Sequence, residues 1–333
     1  MDIDDLMRRA IDASCAAQGI SSPNPPVGAV IADAGGAVVG IGHTQPPGGP
    51  HAEVMALRAA GAAAHGGTAI VTLEPCNHTG RTGPCAQALI EAGVAQVFYG
   101  APDPNPSAAG GAVTLRAAGV EVHGDVALAA VEAGPLRPWL HRQRTGRPYV
   151  TVKLAAGVDG RVAAPDGTSQ WITGPAARAH AHERRSRIDA IVVGTGTALA
   201  DDPSLTARRP DGTHLDHQPV RVVVGHTDIP DGAAVRDDAA PFVQVRSHDP
   251  ADVLAALPDA LWVVVEGGPQ LIGAFFDAGL VDAVDTYLAP MVLGAGRSAV
   301  ERTQVTTLAD ADRFTIGEVR VLDGGDVFLG LTR

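Results

Sequence analysis

Three short segments constrain this chain more than anything else in it: Pro50-His51-Ala52-Glu53, Glu74-Pro75-Cys76 and Pro84-Cys85. His51, Cys76 and Cys85 make a one-imidazole, two-thiol zinc set whose fourth position stays open for water. Glu53 lies two residues past His51 at the start of a predicted helix, where it reaches that water without being a ligand. The helix after Cys85 points its N-terminus at the site, which favours thiolate over thiol. Two thiolates cancel the formal charge of Zn²⁺, yet the metal still lowers the pKa of its water, and Glu53 then moves a proton to a departing amine. A fourth ligand from His78 would instead close the site as a structural zinc and leave Glu53 idle.

The surrounding pattern is α/β. GAVIADAGGAVVGIG predicts a hairpin with its turn at Asp33–Gly36, residues 51–64 a helix, GTAIVTLEPC a strand and CAQALIEAG a helix ending at Gly93. The strand VAQVFYG and a further helix–strand step follow. A polar stretch at 138–150, with Gly146 and Pro148, marks a boundary and predicts domains over 1–145 and 146–333. Strands then recur at YVTVKLA, DAIVVGT, VRVVVG, PFVQVR, LWVVVEGG and VDTYLAP, and a last hairpin is expected around Asp323–Leu329. The second half lacks a full G-x-G-x-x-G. It offers instead Val263-Val264-Val265-Glu266-Gly267-Gly268-Pro269, a strand, a glycine pair and a helix start of the kind that cradles a pyrophosphate.

Composition narrows the partners. A formal net charge of −12 argues against a nucleic-acid backbone, while local arginines still suit a small anionic substrate. No apolar stretch approaches the ~20 residues that span a bilayer, no signal-like segment opens the chain, and three cysteines point to the reducing cytoplasm. Of 25 basic residues only Lys153 is lysine, which marks it as a position where arginine does not serve.

The motif order resembles a known family. His51-Ala52-Glu53, Cys76-Asn77-His78-Thr79-Gly80-Arg81 and Pro84-Cys85, with Pro23-Asn24-Pro25-Pro26-Val27-Gly28 upstream, are similar to the deaminase half of the bifunctional riboflavin-biosynthesis deaminase–reductase. The long loop between the cysteines departs from the H-x-E…P-C-x-x-C spacing of zinc deaminases at large. Lys153-Leu154-Ala155, Asp159-Gly160-Arg161, Ser169-Gln170-Trp171-Ile172-Thr173-Gly174 and Thr197 through Thr206 resemble the reductase half. The resemblance implies an N-terminal cytidine-deaminase-like three-layer domain and a C-terminal dihydrofolate-reductase-like domain. It implies deamination of 2,5-diamino-6-(5-phosphoribosylamino)pyrimidin-4(3H)-one with one Zn²⁺ per chain, then NADPH reduction of the ribosyl group to ribityl, in a homo-oligomer.

By that resemblance Asn24 and His43 contact the pyrimidine, Asn77 and His78 line the loop, and Arg81 meets the phosphate. Ser169, Arg185, Leu205, Arg208 and Glu266 hold the substrate of the reductase. Ala155, Trp171, Thr197, Asp201 and the Gly268–Ala274 turn (Gly268, Pro269, Gln270, Leu271, Ile272, Gly273, Ala274) line the NADPH site. Lys153 and Asp201 are the candidate acids, Lys153 the first. The family usually has serine where Gly157 stands, so one cofactor contact is lost or passes to water. The rival reading is a nucleobase or tRNA-type zinc deaminase whose second domain is not catalytic.

Overall fold

Glycines in the first hairpin decide how the N-terminal layers stack. Strands β1 (Gly28–Ala32) and β2 (Val38–His43) pair antiparallel, with Gly28 opposite His43, Ala29 opposite Gly42 and Ile31 opposite Gly40. A Cβ on Gly28 would lie 1.9 Å from the Ala10 carbonyl of helix α1 (Ile3–Ser14). On Gly40 and Gly42 it would lie 2.1 and 2.4 Å from the Ala56 and Ala52 carbonyls of α2 (Ala52–Ala60). Successive strand residues point to opposite faces, so α1 and α2 cover the two sides of one sheet. The remaining strands are β3 (Thr68–Leu73), β4 (Gln96–Ala101) and β5 (Glu121–His123), giving the order β2-β1-β3-β4-β5 with the last three parallel. Helices α3 (Cys85–Glu91), α4 (Gly111–Ala117), α5 (Leu128–Ala133) and α6 (Arg137–Thr145) complete this layer set.

The computed structural model describes residues 1–78 and 83–333, and the chain divides into the units Met1–Arg147 and Pro148–Arg333. The polar stretch expected as a boundary is mostly helix: Pro138 stands in the first turn of α6, Gly146 ends it at φ +78°, and Trp139 and Leu140 are buried. Proline at the start and glycine past the end are ordinary helix punctuation.

In the second unit β6 (Tyr149–Gly157), β8 (Ala190–Gly194), β9 (Val220–Val224), β10 (Phe242–Val245), β11 (Trp262–Gly267) and β12 (Ala283–Ala289) run parallel. With β15 (Val327–Thr332), antiparallel to β12, and β14 (Thr315–Val321), antiparallel to β15, they form the order β10-β9-β8-β11-β6-β12-β15-β14. The short strands β7 (Arg161–Ala163) and β13 (Arg297–Ser298) make a separate ribbon. Valine runs suit parallel strands covered on both faces. Val150, Val152, Val263, Val265 and Val284 pack with Ile272 and Phe275 of α10 (Pro269–Asp277), and Ile191, Val193 and Val264 belong to a second cluster. The other helices are α7 (Pro175–Arg185), α8 (Thr195–Asp201) and α9 (Pro250–Ala255). The last hairpin, β14–β15, turns through Asp326, whose buried carboxylate accepts from Gly174 N–H at 2.6 Å, where α7 begins. Gly268–Ala274 is not a turn: Gly268 caps α10 and the rest is helix.

Candidate active sites

Helix starts bring the first constellation together. His51 is the N-cap of α2, Glu53 lies in its first turn, Cys76 follows β3, and Cys85 opens α3. His51 Nδ1 lies 3.3 Å from Cys85 Sγ and 3.5 Å from Cys76 Sγ, and the three ligand atoms all fall within 4.8 Å of one another. Tetrahedral zinc with ordinary Zn–N and Zn–S bonds separates such atoms by about 3.6 Å, so the donor set fits that ion. It is the one metal-ligating group of three or more among the described residues. His78 is exposed and outside it, which leaves the fourth position open.

Electrostatics follow from this crowding. Hydrogen bonds from Cys85, then His51 and the Cys85 N–H, bring the Cys76 thiol down to about 4, while the same pairing and burial push Cys85 well up. The bond to Cys76 raises His51. Glu53 is 4% exposed, and burial, then the charge on Cys76, pushes its carboxyl up to about 7. Sequence reading treated Glu74 only as part of a segment. Its carboxylate accepts from the N–H groups of Gly110 (3.2 Å), Ala112 (3.0 Å) and Asp103 (3.4 Å), fixing the loop whose Ala108 packs on Cys76 and Cys85.

The expected pyrimidine residues are placed unevenly. Asn24 and His43 are half-buried, and Thr44 N–H donating to the Val27 carbonyl at 3.0 Å, with Val27 N–H donating to Thr44 Oγ1 at 3.1 Å, holds Asn24's loop against the end of β2. Asn77 is exposed, and its Oδ1 accepts from Thr114 Oγ1 at 3.0 Å. Arg81 lies outside the described residues.

The second constellation forms where Arg184 and Arg185 of α7 meet Asp285 of β12 and Glu266 of β11, beside Lys153 in the middle of β6. Lys153 pairs in register with Asp285, and β11 slips relative to β8 at Glu266. One pocket collects Lys153, Arg184, Arg185, Glu266, Asp285 and Tyr287. Arg185 donates to both Glu266 oxygens, at 3.1 and 2.9 Å, while Lys153 Nζ stays 3.7 Å away, too far for a hydrogen bond. Burial alone would raise Glu266, but Arg185, then Lys153, outweigh it and hold the carboxyl down at about 2. Arg184 pairs with Asp285 at 2.7 Å, and Tyr287 Oη meets His180 Nδ1 at 2.9 Å. Sequence reading missed Arg184, Asp285, Tyr287 and His182; a run of charge on α7 gives no signal until the helix is packed.

Other expected residues are spread more widely. Asp201 is exposed at the end of α8 and does not line the Lys153 pocket. Leu205 is buried at φ +55°, Ser169 is half-buried, and Trp171, 69% exposed, carries Arg178 stacked 4.4 Å from its ring centroid. Ala155 packs on Tyr287 and Phe328. Within Gly268–Ala274, Ile272 and Leu271 face the core, and Gly273 lies against Glu301, whose carbonyl a Cβ would meet at 1.7 Å. Their side chains are therefore not presented to a ligand, and the segment offers backbone at Gly268.

Comparison with known proteins finds a match in each of the two units. The family described as the cytidine and deoxycytidylate deaminase zinc-binding region matches residues 1–101, and the RibD C-terminal domain matches residues 148–322. The riboflavin biosynthesis protein RibD of Mycobacterium tuberculosis is 51% identical over 329 residues, covering 99% of this chain and 97% of its own. The chain belongs to the RibD family. RibD of Escherichia coli is 40% identical, with 98% of each chain covered. Among solved RibD structures, the Thermotoga maritima deaminase/reductase superposes with TM-score 0.87 at 30% identity, over 99% of this chain and 98% of that one. Acinetobacter baumannii RibD gives 0.86 at 34%, with the same coverage. The expected pair of a cytidine-deaminase-like and a reductase-like α/β domain is thus the RibD arrangement. No helix among the described residues is long and apolar enough to cross a membrane.

Proposed function

We propose that this chain catalyses two consecutive reactions on the riboflavin pathway: hydrolytic deamination of 2,5-diamino-6-(5-phosphoribosylamino)pyrimidin-4(3H)-one in the first unit, then NADPH-dependent reduction to 5-amino-6-(5-phosphoribitylamino)uracil in the second. The observation that carries the reading is the convergence of His51 Nδ1, Cys76 Sγ and Cys85 Sγ beside a buried Glu53. Zinc in such a set is a Lewis acid that makes water a competent nucleophile at neutral pH. Glu53 takes the proton of the attacking water as the C–O bond forms and delivers it to the exocyclic nitrogen as the C–N bond breaks, so ammonia leaves. Burial raises the Glu53 carboxyl, which favours its taking up the proton of the water. Asn24 and His43 are assigned to the pyrimidine, Asn77 and His78 to the loop wall, and Arg81 to the phosphate.

In the second unit, ring opening of the ribosylamine gives an imine at C1′, and NADPH supplies the hydride. Lys153 is assigned to protonate the opening sugar oxygen or support the imine nitrogen, because its ammonium lines the pocket with no hydrogen bond among the described residues. Asp201 is the second candidate. Ser169, Arg185, Leu205, Arg208 and Glu266 are assigned to the substrate, the two arginines to its phosphate. Ala155, Trp171, Thr197, Asp201 and the start of α10 are assigned to NADPH. Helices α8 and α10 both begin from glycines without side-chain caps, and a Cβ on Gly267 or Gly268 would lie 3.3 or 3.2 Å from Thr197. Uncapped helix starts beside glycines packed closely on Thr197 suit a pyrophosphate. A small phosphorylated pyrimidine as the ligand, a homo-oligomer and a cytoplasmic setting complete the reading.

Glu53→Gln tests the assignment. The variant should keep one zinc per chain while ammonia release falls at least about 100-fold. Activity above a few per cent of the parent would remove Glu53 from the proton transfer.

A further inference from the structure

Helix α7 carries two imidazoles that the reactions above do not use: His180, bonded to Tyr287 Oη, and His182. His182 lies one turn before Arg185, and both reach the same acceptor: His182 Nδ1 is 3.1 Å and Arg185 Nη1 2.9 Å from the Thr206 carbonyl oxygen. A carbonyl only accepts, so Nδ1 holds the proton and Nε2 presents a lone pair. Two buried groups of the same cluster, Arg185 Nε and Thr206 Oγ1, have no hydrogen-bond partner among the described residues. Native interiors rarely leave such groups unpaired. A buried guanidinium with an unused N–H, next to a second arginine and a half-buried imidazole, is the donor set of an anion site.

The charged groups facing His182 are Arg185 on its own helix, Arg208 beyond Thr206, and Glu266 at the end of β11. Burial, then Arg185 and Arg208, bring the imidazole down to about 4, so it is neutral at pH 7 before any anion arrives. A phosphate monoester entering between the two arginines reverses that balance, because its charge cancels theirs and its oxygens accept from Nε2–H. We infer that His182 is a third phosphate-binding group of the second unit, beside Arg185 and Arg208, and that it takes up a proton as the phosphate enters. This rests on the reading that the two arginines hold the substrate phosphate.

The consequence is a distinctive pH dependence. A phosphate monoester is a dianion above about pH 6. Above that pH, each binding event draws a proton from solvent, so affinity weakens as pH rises, by up to about tenfold per unit. Below it the monoanion brings its own proton and the dependence flattens. In His182→Gln the amide still donates to the Thr206 carbonyl, but the dianion binds with no proton uptake, so affinity between pH 6.5 and 8 should be flat.

The test is calorimetric titration of the full chain with ribose 5-phosphate at pH 7, in two buffers of different ionisation enthalpy. Uptake of more than about half a proton per ligand is expected for the parent, and close to none for His182→Gln. The two-buffer comparison on the parent chain stands even if the variant folds poorly. Binding without proton uptake, or the same uptake in the variant, overturns the role of His182. An Arg208→Gln variant that binds as tightly as the parent, or a parent chain that does not bind, overturns the underlying arginine assignment instead.

Discussion

Replacing Glu266 by glutamine is expected to cost about 3 kcal/mol of folding stability at neutral pH. The carboxylate is 12% exposed, receives two hydrogen bonds from Arg185, and stands 3.7 Å from Lys153. Arg185 and Lys153 hold its carboxyl down from 4.5 to about 2, a difference equivalent to about 3 kcal/mol. Breaking one side of a buried ion pair typically costs about 3–5 kcal/mol, and glutamine keeps one acceptor oxygen, so the lower end applies. The folded-state pKa is depressed, so the stabilisation is complete above the unfolded pKa near 4.5 and is lost as pH falls towards 2. The gap between parent and variant should therefore be constant from pH 6 to 8 and shrink by more than half by pH 3. Urea titration followed by circular dichroism and tryptophan fluorescence reads both. A gap below about 1 kcal/mol at pH 7, or one independent of pH down to 3, would refute the reasoning.

Further outcomes follow from the same geometry. Lys153→Arg should spare ammonia release and slow NADPH oxidation by about 100-fold or more, measured separately; unchanged oxidation would make the chain's single lysine incidental. At Gly157 a Cβ would come within 2.8 Å of Asp159 Oδ1 and 2.9 Å of the Met291 carbonyl. Because Asp159 holds Leu293 and Gly294 N–H at 3.0 and 2.7 Å, Gly157→Ser should displace that loop and cost about 1–3 kcal/mol, read as a lower melting temperature. An unchanged melting temperature with tighter NADPH binding would mean that serine fits and the close approach is slack. Chelation of zinc should abolish ammonia release yet leave reduction of the deaminated intermediate intact; loss of both would tie the second site to the metal.

The sequence was most informative where local spacing alone determines chemistry. His51, Glu53, Cys76 and Cys85 each sit at an element edge, so their convergence was readable from the order of strands and helices. The valine-rich strands of the second unit were readable for the same reason. Residues 138–150 contain the division between the two units, after Arg147, but their polar composition hid that most of them form a helix, punctuated by Pro138 and Gly146, whose Trp139 and Leu140 are buried. The frame around Lys153 was illegible: Arg184 and Arg185 are adjacent in sequence yet pair with Asp285 and Glu266 on different strands. Only the packing of α7 on the sheet decides that. Glu74 escaped for a similar reason, since its three backbone partners come from a loop some thirty residues on.

The most direct test of the central claim is one assay on purified, zinc-loaded full chain with the diaminopyrimidine ribotide, following ammonia release and NADPH oxidation separately. The expected result is both signals, with ammonia first and oxidation dependent on it. Ammonia without oxidation would contradict the assignment of the Lys153 pocket, and neither signal would contradict the account as a whole.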